Sequence, residues 1–166
     1  MPELRLWLPE PPFDDWAIQE RHDFGLLWVC AEPRAVVTQV HIPEVSEAHI
    51  NTFHDRLDAF ADMGFASRGE PCVLLHDWRK VKQVDKGIRK LWLDRAKRPD
   101  NPYAGARTYA AVDIAAIYRV MLNTVALAMQ MTASQSVQII EDPREALTSE
   151  KIGPPPVDAL DRALRG

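Results

Sequence analysis

Short apolar runs alternate with longer segments of helical periodicity along most of the chain. Runs of this length and composition are typical of strands that are buried in an α/β sheet. Strands that alternate with helices form βαβ units, whose right-handed crossovers produce a parallel sheet covered by helices. The sequence therefore predicts an α/β layered fold with a mostly parallel central sheet, an N-terminal hairpin and flanking helices.

The predicted strands follow from these apolar runs. Residues 25–30 and 35–42 flank a turn-like Ala-Glu-Pro-Arg and form the hairpin. The later strands cover 72–77, 108–114 and 136–140. Prolines near the start of the chain allow at most a short edge strand around residues 4–8.

Helical periodicity is clearest between residues 45 and 63. Ile50, Phe53 and Leu57 recur at helical spacing, and Gly64 is placed to end the helix. Further helices are predicted at 85–97 with Asp85 as the N-cap, at 115–131, and from Pro143 onward.

The length of 166 residues favours one domain, because a chain of this size builds one hydrophobic core. We predict a single domain over residues 1–152, which includes a proline-rich arm at 1–20, and a proline-rich tail at 153–166. Three aromatic side chains are expected to pin the arm to the domain: Trp7, Phe13 and Trp16.

Cysteine usage and the first residues bear on location. Cys30 and Cys72 lie in apolar runs, so we interpret both as core thiols in a reducing compartment. The start of the chain is acidic and rich in proline, and it lacks the basic and apolar regions of a secretory signal. We therefore expect a cytoplasmic protein without a transmembrane segment.

Positive charge is concentrated between residues 79 and 98, although the whole chain has a net charge of −4. Nine cations and two acids give this segment a local charge of +7. Four cations near a predicted helix start are candidates for anion binding: Arg79, Lys80, Lys82 and Lys86. The alternative is a solvated face whose cations pair with neighbouring acids. Specific nucleic-acid binding is not predicted.

The sequence lacks the common catalytic and cofactor motifs. It has no Gly-x-Ser-x-Gly elbow, no phosphate-binding loop and no Gly-x-Gly-x-x-Gly turn. His49 and His54 are five positions apart on the first predicted helix. That spacing rotates the two rings about 140° from each other, which disfavours a shared metal. We predict no metal and no cofactor.

His76 and Asp77 end a predicted central strand, where open α/β sheets often bind ligands. Neighbours on a strand point to opposite faces, so the two side chains do not form an acid–base dyad by themselves. We interpret Asp77 as a loop cap and His76 as a packed polar residue. An enzyme built around them is the weakest functional hypothesis.

The segment from 114 to 131 is apolar on nearly all sides of its predicted helix, and its only formal charge is Arg119. Such a helix needs cover beyond one sheet face. A second copy of the chain, an apolar ligand or the N-terminal arm could supply it, and we favour a homodimer. The candidate contact residues are Ile117, Met121, Leu122, Val125 and Met129.

Three stretches carry a family resemblance: VLLHDWRKV, RTYAAVDI and IIEDPREAL. With the hairpin and the first helix they follow an order, between residues 35 and 146, that resembles the SpoIIAA-like fold of bacterial STAS domains. The resemblance implies a sheet of four or five strands with helices. It also implies a non-enzymatic role in regulation or binding.

One position departs from that family. STAS anti-sigma factor antagonists carry a phosphorylatable Ser at the start of the helix after the strand that corresponds here to 72–77. Between Trp78 and Trp92 this chain has neither Ser nor Thr. The resemblance thus implies a regulatory or protein-interaction module without its phosphate acceptor. The alternative is a carrier or sensor of a small apolar or anionic ligand.

Overall fold

The computed structural model describes residues 8–67, 69–85, 87–112 and 136–154. The strands are β1 Glu20–His22, β2 Gly25–Cys30, β3 Ala35–Val40, β4 Glu44–Val45, β5 Val73–Asp77, β6 Gln83–Val84, β7 Arg107–Ala111 and β8 Ser136–Ile140. The helices are α1 Glu47–Asp62, α2 Ile88–Ala96 and α3 Pro143–Glu150.

Six strands form the central sheet in the order β1-β2-β3-β5-β7-β8. β2 is antiparallel to both β1 and β3, whereas β3, β5, β7 and β8 run parallel. The predicted α/β fold with a mostly parallel sheet is confirmed. The parallel strands follow one another in chain order, so the described part of the sheet lacks the reversal that usually opens a ligand crevice.

The sheet is covered on both faces. Every residue of β2 and β3 is buried, which explains why both strands are apolar without interruption over most of their length. On one face α1 and α2 pack against alternate strand residues such as Leu27, Val36 and Leu74. On the other face the intervening residues Trp28 and Leu75 pack against α3 and the N-terminal arm.

Helix α1 begins at a capping box. The Ser46 hydroxyl accepts from the backbone N–H of His49 at 3.4 Å, and His49 Nδ1 accepts from the Ser46 backbone N–H at 3.1 Å. Ile50, Phe53 and Leu57 are buried, as their spacing predicted. Gly64 follows the helix with φ +88°, a conformation that side chains other than glycine rarely adopt.

Helix α2 begins later than predicted. Its N-cap is Gly87, and the Asp85 carboxylate instead accepts a hydrogen bond from the Glu47 backbone N–H of α1 at 3.2 Å. The prediction of Asp85 as the α2 cap was therefore wrong. Folding brings the Asp85 carboxylate to the first residue of α1, where it accepts a hydrogen bond instead of capping α2. Asp142 caps α3, with Pro143 in its first turn as predicted.

Three short strands escaped prediction: β1, β4 and β6. β4 and β6 pair with each other in parallel through two residues each, too few for a sequence pattern to be visible. The predicted edge strand at 4–8 and the predicted helix at 115–131 fall almost wholly outside the described residues.

Both cysteines are buried, which confirms them as core thiols. Burial raises the pKa of Cys72 to about 12 and also raises the pKa of Cys30. Within the described ranges, no helix has the length and apolar character needed to cross a membrane.

We expect Leu75→Ala to lower the free energy of unfolding by about 2 to 5 kcal/mol, because Leu75 is fully buried in the central strand β5. Urea denaturation followed by circular dichroism measures the change. Met63→Ala is the control, since Met63 is 55% exposed and its truncation should change stability by less than about 0.5 kcal/mol. Equal effects of the two changes would contradict the core assigned here.

Candidate functional site

A buried carboxylate lies at the carboxyl end of β5. Asp77 is 2% exposed and forms a bidentate pair with Arg79, with Nε to Oδ1 and Nη2 to Oδ2 both at 2.8 Å. Gln39 Nε2, on the adjacent strand β3, donates to Asp77 Oδ2 at 2.9 Å. The Arg79 backbone N–H also donates to Asp77 Oδ1 at 3.2 Å, so Asp77 caps the loop as predicted.

The same network continues through Gln39 to the N-terminal arm. Gln39 Oε1 lies 2.7 Å from His41 Nε2, and it also accepts from the Glu10 backbone N–H at 3.4 Å. Burial lowers the pKa of His41, against the opposing attraction of Glu10. The Lys80 ammonium pairs with the Glu10 carboxylate. One connected polar cluster therefore links the strand ends to the arm.

Both oxygens of the Asp77 carboxylate already accept hydrogen bonds from within the chain. The Asp77 oxygens accept from charged and amide donors, and the hydrogen bonds that Arg79 donates to Asp77 raise the pKa of the Arg79 guanidinium further.

His76 lies on the opposite face of the sheet, towards α1 and α2. Its Nδ1 is 2.7 Å from the Thr38 hydroxyl, directly across the β3–β5 pair. Burial lowers the pKa of His76 to about 4 and that of His54 on α1 to about 3, and the nearby positive charge of Arg95 acts in the same direction. Both histidines are half-buried by solvent exposure, and these shifts keep them neutral at neutral pH. The predicted separation of His76 from Asp77 is confirmed.

The four candidates for anion binding have different environments. Arg79 forms an ion pair with Asp77, and Lys80 forms one with Glu10. Lys82 is exposed, and Lys86 lies outside the described residues. Anion binding by this set stays a prediction.

The start of α2 already holds a negative charge. A β-carbon added to Gly87 would lie 1.6 Å from Glu47 Oε1, so the Glu47 carboxylate rests against the first turn of the helix. Helix N-termini attract anions, and here α1 supplies one from within the chain. An external anion would have to displace Glu47.

Elsewhere in the basic segment, several cations pair with acids. Arg95 Nη2 lies 2.7 Å from Asp58 Oδ1, Arg98 Nη1 is 3.4 Å from Asp58 Oδ2, and Lys90 pairs with Asp94 one turn away. These contacts favour the solvated, paired interpretation of most of the segment. Lys82, Arg89 and Lys97 are exposed.

Sequence reasoning missed Glu10, Gln39 and His41 as members of the cluster. A signal was present, since Gln39 falls on the same strand face as Val37 and therefore at an inward position. The candidates for dimer or ligand contact, from Ile117 to Met129, lie outside the described residues. In the part of the chain that is described, no group of three or more metal-binding side chains is present.

Comparison with known protein families, with curated proteins and with solved structures found no match. The function is therefore inferred from the residues of this chain.

The lowered pKa values of His54 and His76 predict a stability that falls with acid. Because the pKa values of His54 and His76 are lowered by folding, the unfolded chain takes up protons first, and stability decreases as the pH falls below about 6.5 towards 4. Each histidine contributes up to about 1.4 kcal/mol per pH unit over this window.

Thermal melts between pH 7 and pH 5 measure this effect. We expect the wild-type melting temperature to fall with acid, and the slope to be smaller in His54→Leu and smaller again in His54→Leu combined with His76→Leu. A slope unchanged by both substitutions would show that other groups cause the acid sensitivity.

The contact between Glu47 and Gly87 predicts energetic coupling. Gly87→Ala should destabilise the wild type by about 0.3 to 1 kcal/mol, because the methyl group displaces the carboxylate from the helix start. In a Glu47→Ala background the same change should instead raise the free energy of unfolding by about 0.4 to 1 kcal/mol, because alanine has fewer backbone conformations than glycine in the unfolded chain. A double-mutant cycle by urea denaturation tests this, and additive effects would contradict the contact.

Proposed function

We propose that the protein is a non-enzymatic regulatory or protein-interaction module, similar to a STAS domain that lacks the phosphate acceptor. The observation that carries this proposal is the closed pairing of Asp77 with Arg79 and Gln39. This pairing lies at the carboxyl end of β5, and both Asp77 oxygens accept hydrogen bonds from within the chain, at a sheet whose described strands form no crevice by reversal of their order.

The order of elements supports the proposed SpoIIAA-like relationship. A hairpin leads through α1 to β5, then through α2 to β7, and β8 is followed by a short helix. These strands lie side by side in that order. This is the order of hairpin, strands and helices that the family resemblance implies, although the central sheet has six strands where the resemblance implies four or five.

The start of α2 supports the loss of a phosphate switch. The family's acceptor Ser belongs at this place, and here Gly87 stands at the N-cap without a side chain. The Glu47 carboxylate rests beside it, in the place of an external phosphate. On this proposal, the Glu47 carboxylate takes the place at the start of α2 that a reversible phosphate group occupies in the family.

We also propose that the module is cytoplasmic and homodimeric, with contact through the helix predicted at 115–131. The dimer is supported by the sequence of that segment, which is apolar on nearly all sides of the predicted helix. The cytoplasmic location is supported by the two buried free thiols.

Native mass spectrometry of the full chain purified from its source cells tests the function. We expect the 18.8 kDa chain to carry a second copy or another polypeptide in a defined ratio. A monomer carrying one small molecule per chain would contradict the interaction module and would favour the carrier or sensor.

The dimer has a separate test by light scattering at micromolar concentration. Met121→Lys combined with Val125→Lys should convert a dimer to a monomer, because two charges would enter an apolar contact. Lys82→Glu, at an exposed residue, is the control and should leave the mass unchanged. A wild-type chain that is already monomeric would remove the proposed dimer.

A further inference from the structure

Residues 8–18 of the N-terminal arm cross the sheet face opposite α1 and α2. Phe13 and Trp16 are 0% and 5% exposed, although the arm around them is largely irregular. The Phe13 ring stacks on Trp28 with a centroid distance of 5.4 Å, and Trp16 meets Trp28 edge-on at 6.1 Å. Two aromatic side chains thus anchor the arm to one residue of β2.

Few polar contacts add to these anchors. The Glu10 backbone exchanges two long hydrogen bonds with the Gln39 amide, each at 3.4 Å. Arg79 donates to the Pro11 carbonyl, and Lys80 pairs with the Glu10 carboxylate. The Lys80 and Glu10 side chains are 46% and 41% exposed, so water weakens this pair.

The arm is not part of the strand pairing of the sheet. None of residues 8–18 belongs to a strand, so lifting the arm breaks no hydrogen bond between paired strands. What it uncovers is a surface with an aromatic floor at Trp28, an amide at Gln39 and cations at Arg79 and Lys80. This set suits an extended peptide with one acidic and two aromatic side chains.

One group on this surface is incompletely satisfied by the arm. Trp28 is fully buried, yet its indole Nε1 has no hydrogen-bond partner among the described residues. A buried donor without an acceptor loses free energy that a carbonyl oxygen would recover. The arm fills the surface without using every group that the surface offers.

We propose that this surface is a docking site for a peptide segment of a partner protein, and that the arm is its internal occupant. The partner segment carries the spacing of the arm itself, Glu-x-x-Phe-x-x-Trp, formed here by Glu10, Phe13 and Trp16. Binding displaces the arm, which acts as an autoinhibitory strap. The proposal rests on the proposed function as an interaction module and names where the partner binds.

The arm is a strong competitor because it is tethered. A short tether gives a local concentration in the millimolar range, so a free peptide of equal intrinsic affinity binds the closed chain weakly. Weakening the hold of the arm should therefore raise the apparent affinity for the same peptide in solution. This prediction separates a displaceable strap from a permanent part of the core.

The first experiment uses the full chain and a fluorescein-labelled peptide of residues 8–19, LPEPPFDDWAIQ, in a polarisation assay. Phe13→Ala combined with Trp16→Ala should bind the peptide at least about tenfold more tightly than the wild type. Asp14→Ala combined with Asp15→Ala is the matched control, because both aspartates are exposed in the same arm. It should bind like the wild type.

A second variant covers the case in which the double substitution unfolds the chain. Lys80→Glu repels Glu10 of the arm and changes only an exposed pair. It should bind a peptide with Lys at the Glu10 position at least about tenfold more tightly than the wild type does. Lys82→Glu, two residues away and exposed, is its control.

The proposal is overturned if the folded arm variant and Lys80→Glu both bind their peptides no better than their controls. If a polypeptide partner is found by native mass spectrometry while both peptide assays fail, the interaction module stands and the docking site falls. If both peptide assays succeed while the purified chain is a monomer that carries a small ligand, the docking site stands and the proposed homodimer falls.

Discussion

The buried Asp77 carboxylate imposes the constraint that organises the arm side of the molecule. A charge removed from water is tolerated only when partners replace its hydration, and here a guanidinium and an amide do so. Arg79 must therefore fold back over the end of β5, which fixes the loop that follows. Through Arg79 and Gln39 the same charge reaches the backbone of Glu10 and Pro11 and positions the arm.

The two faces of the sheet carry different chemistry because successive strand residues point in opposite directions. Towards the helices, His76 and His54 are kept neutral by burial and by the charge of Arg95. Towards the arm, Asp77 stays paired with Arg79. The adjacent residues His76 and Asp77 consequently belong to separate networks, one concerned with core stability and the other with the attachment of a surface segment.

Much of the fold was predictable from local pattern. The hairpin, α1, β5 and β8 follow from runs of apolar residues or from helical spacing, and Pro143 marks the start of α3. The short strands β1, β4 and β6 were not predictable, because two or three residues are too few to show an alternating apolar pattern. In the candidate site, the loop-capping role of Asp77 was predicted from its place after a strand. Glu10 and Gln39 were missed because they lie 29 positions apart in sequence and meet only in the folded chain.

The sequence by itself determined the alternation of strands and helices, the burial of both thiols and the absence of Ser and Thr between Trp78 and Trp92. Only the tertiary structure decided how charges are shared. Asp85 serves α1 instead of α2, Glu47 rests on the start of α2, and Lys80 holds the arm. Local hydrophobic periodicity is written along the chain, whereas an ion pair depends on which distant segments folding brings within a few ångströms.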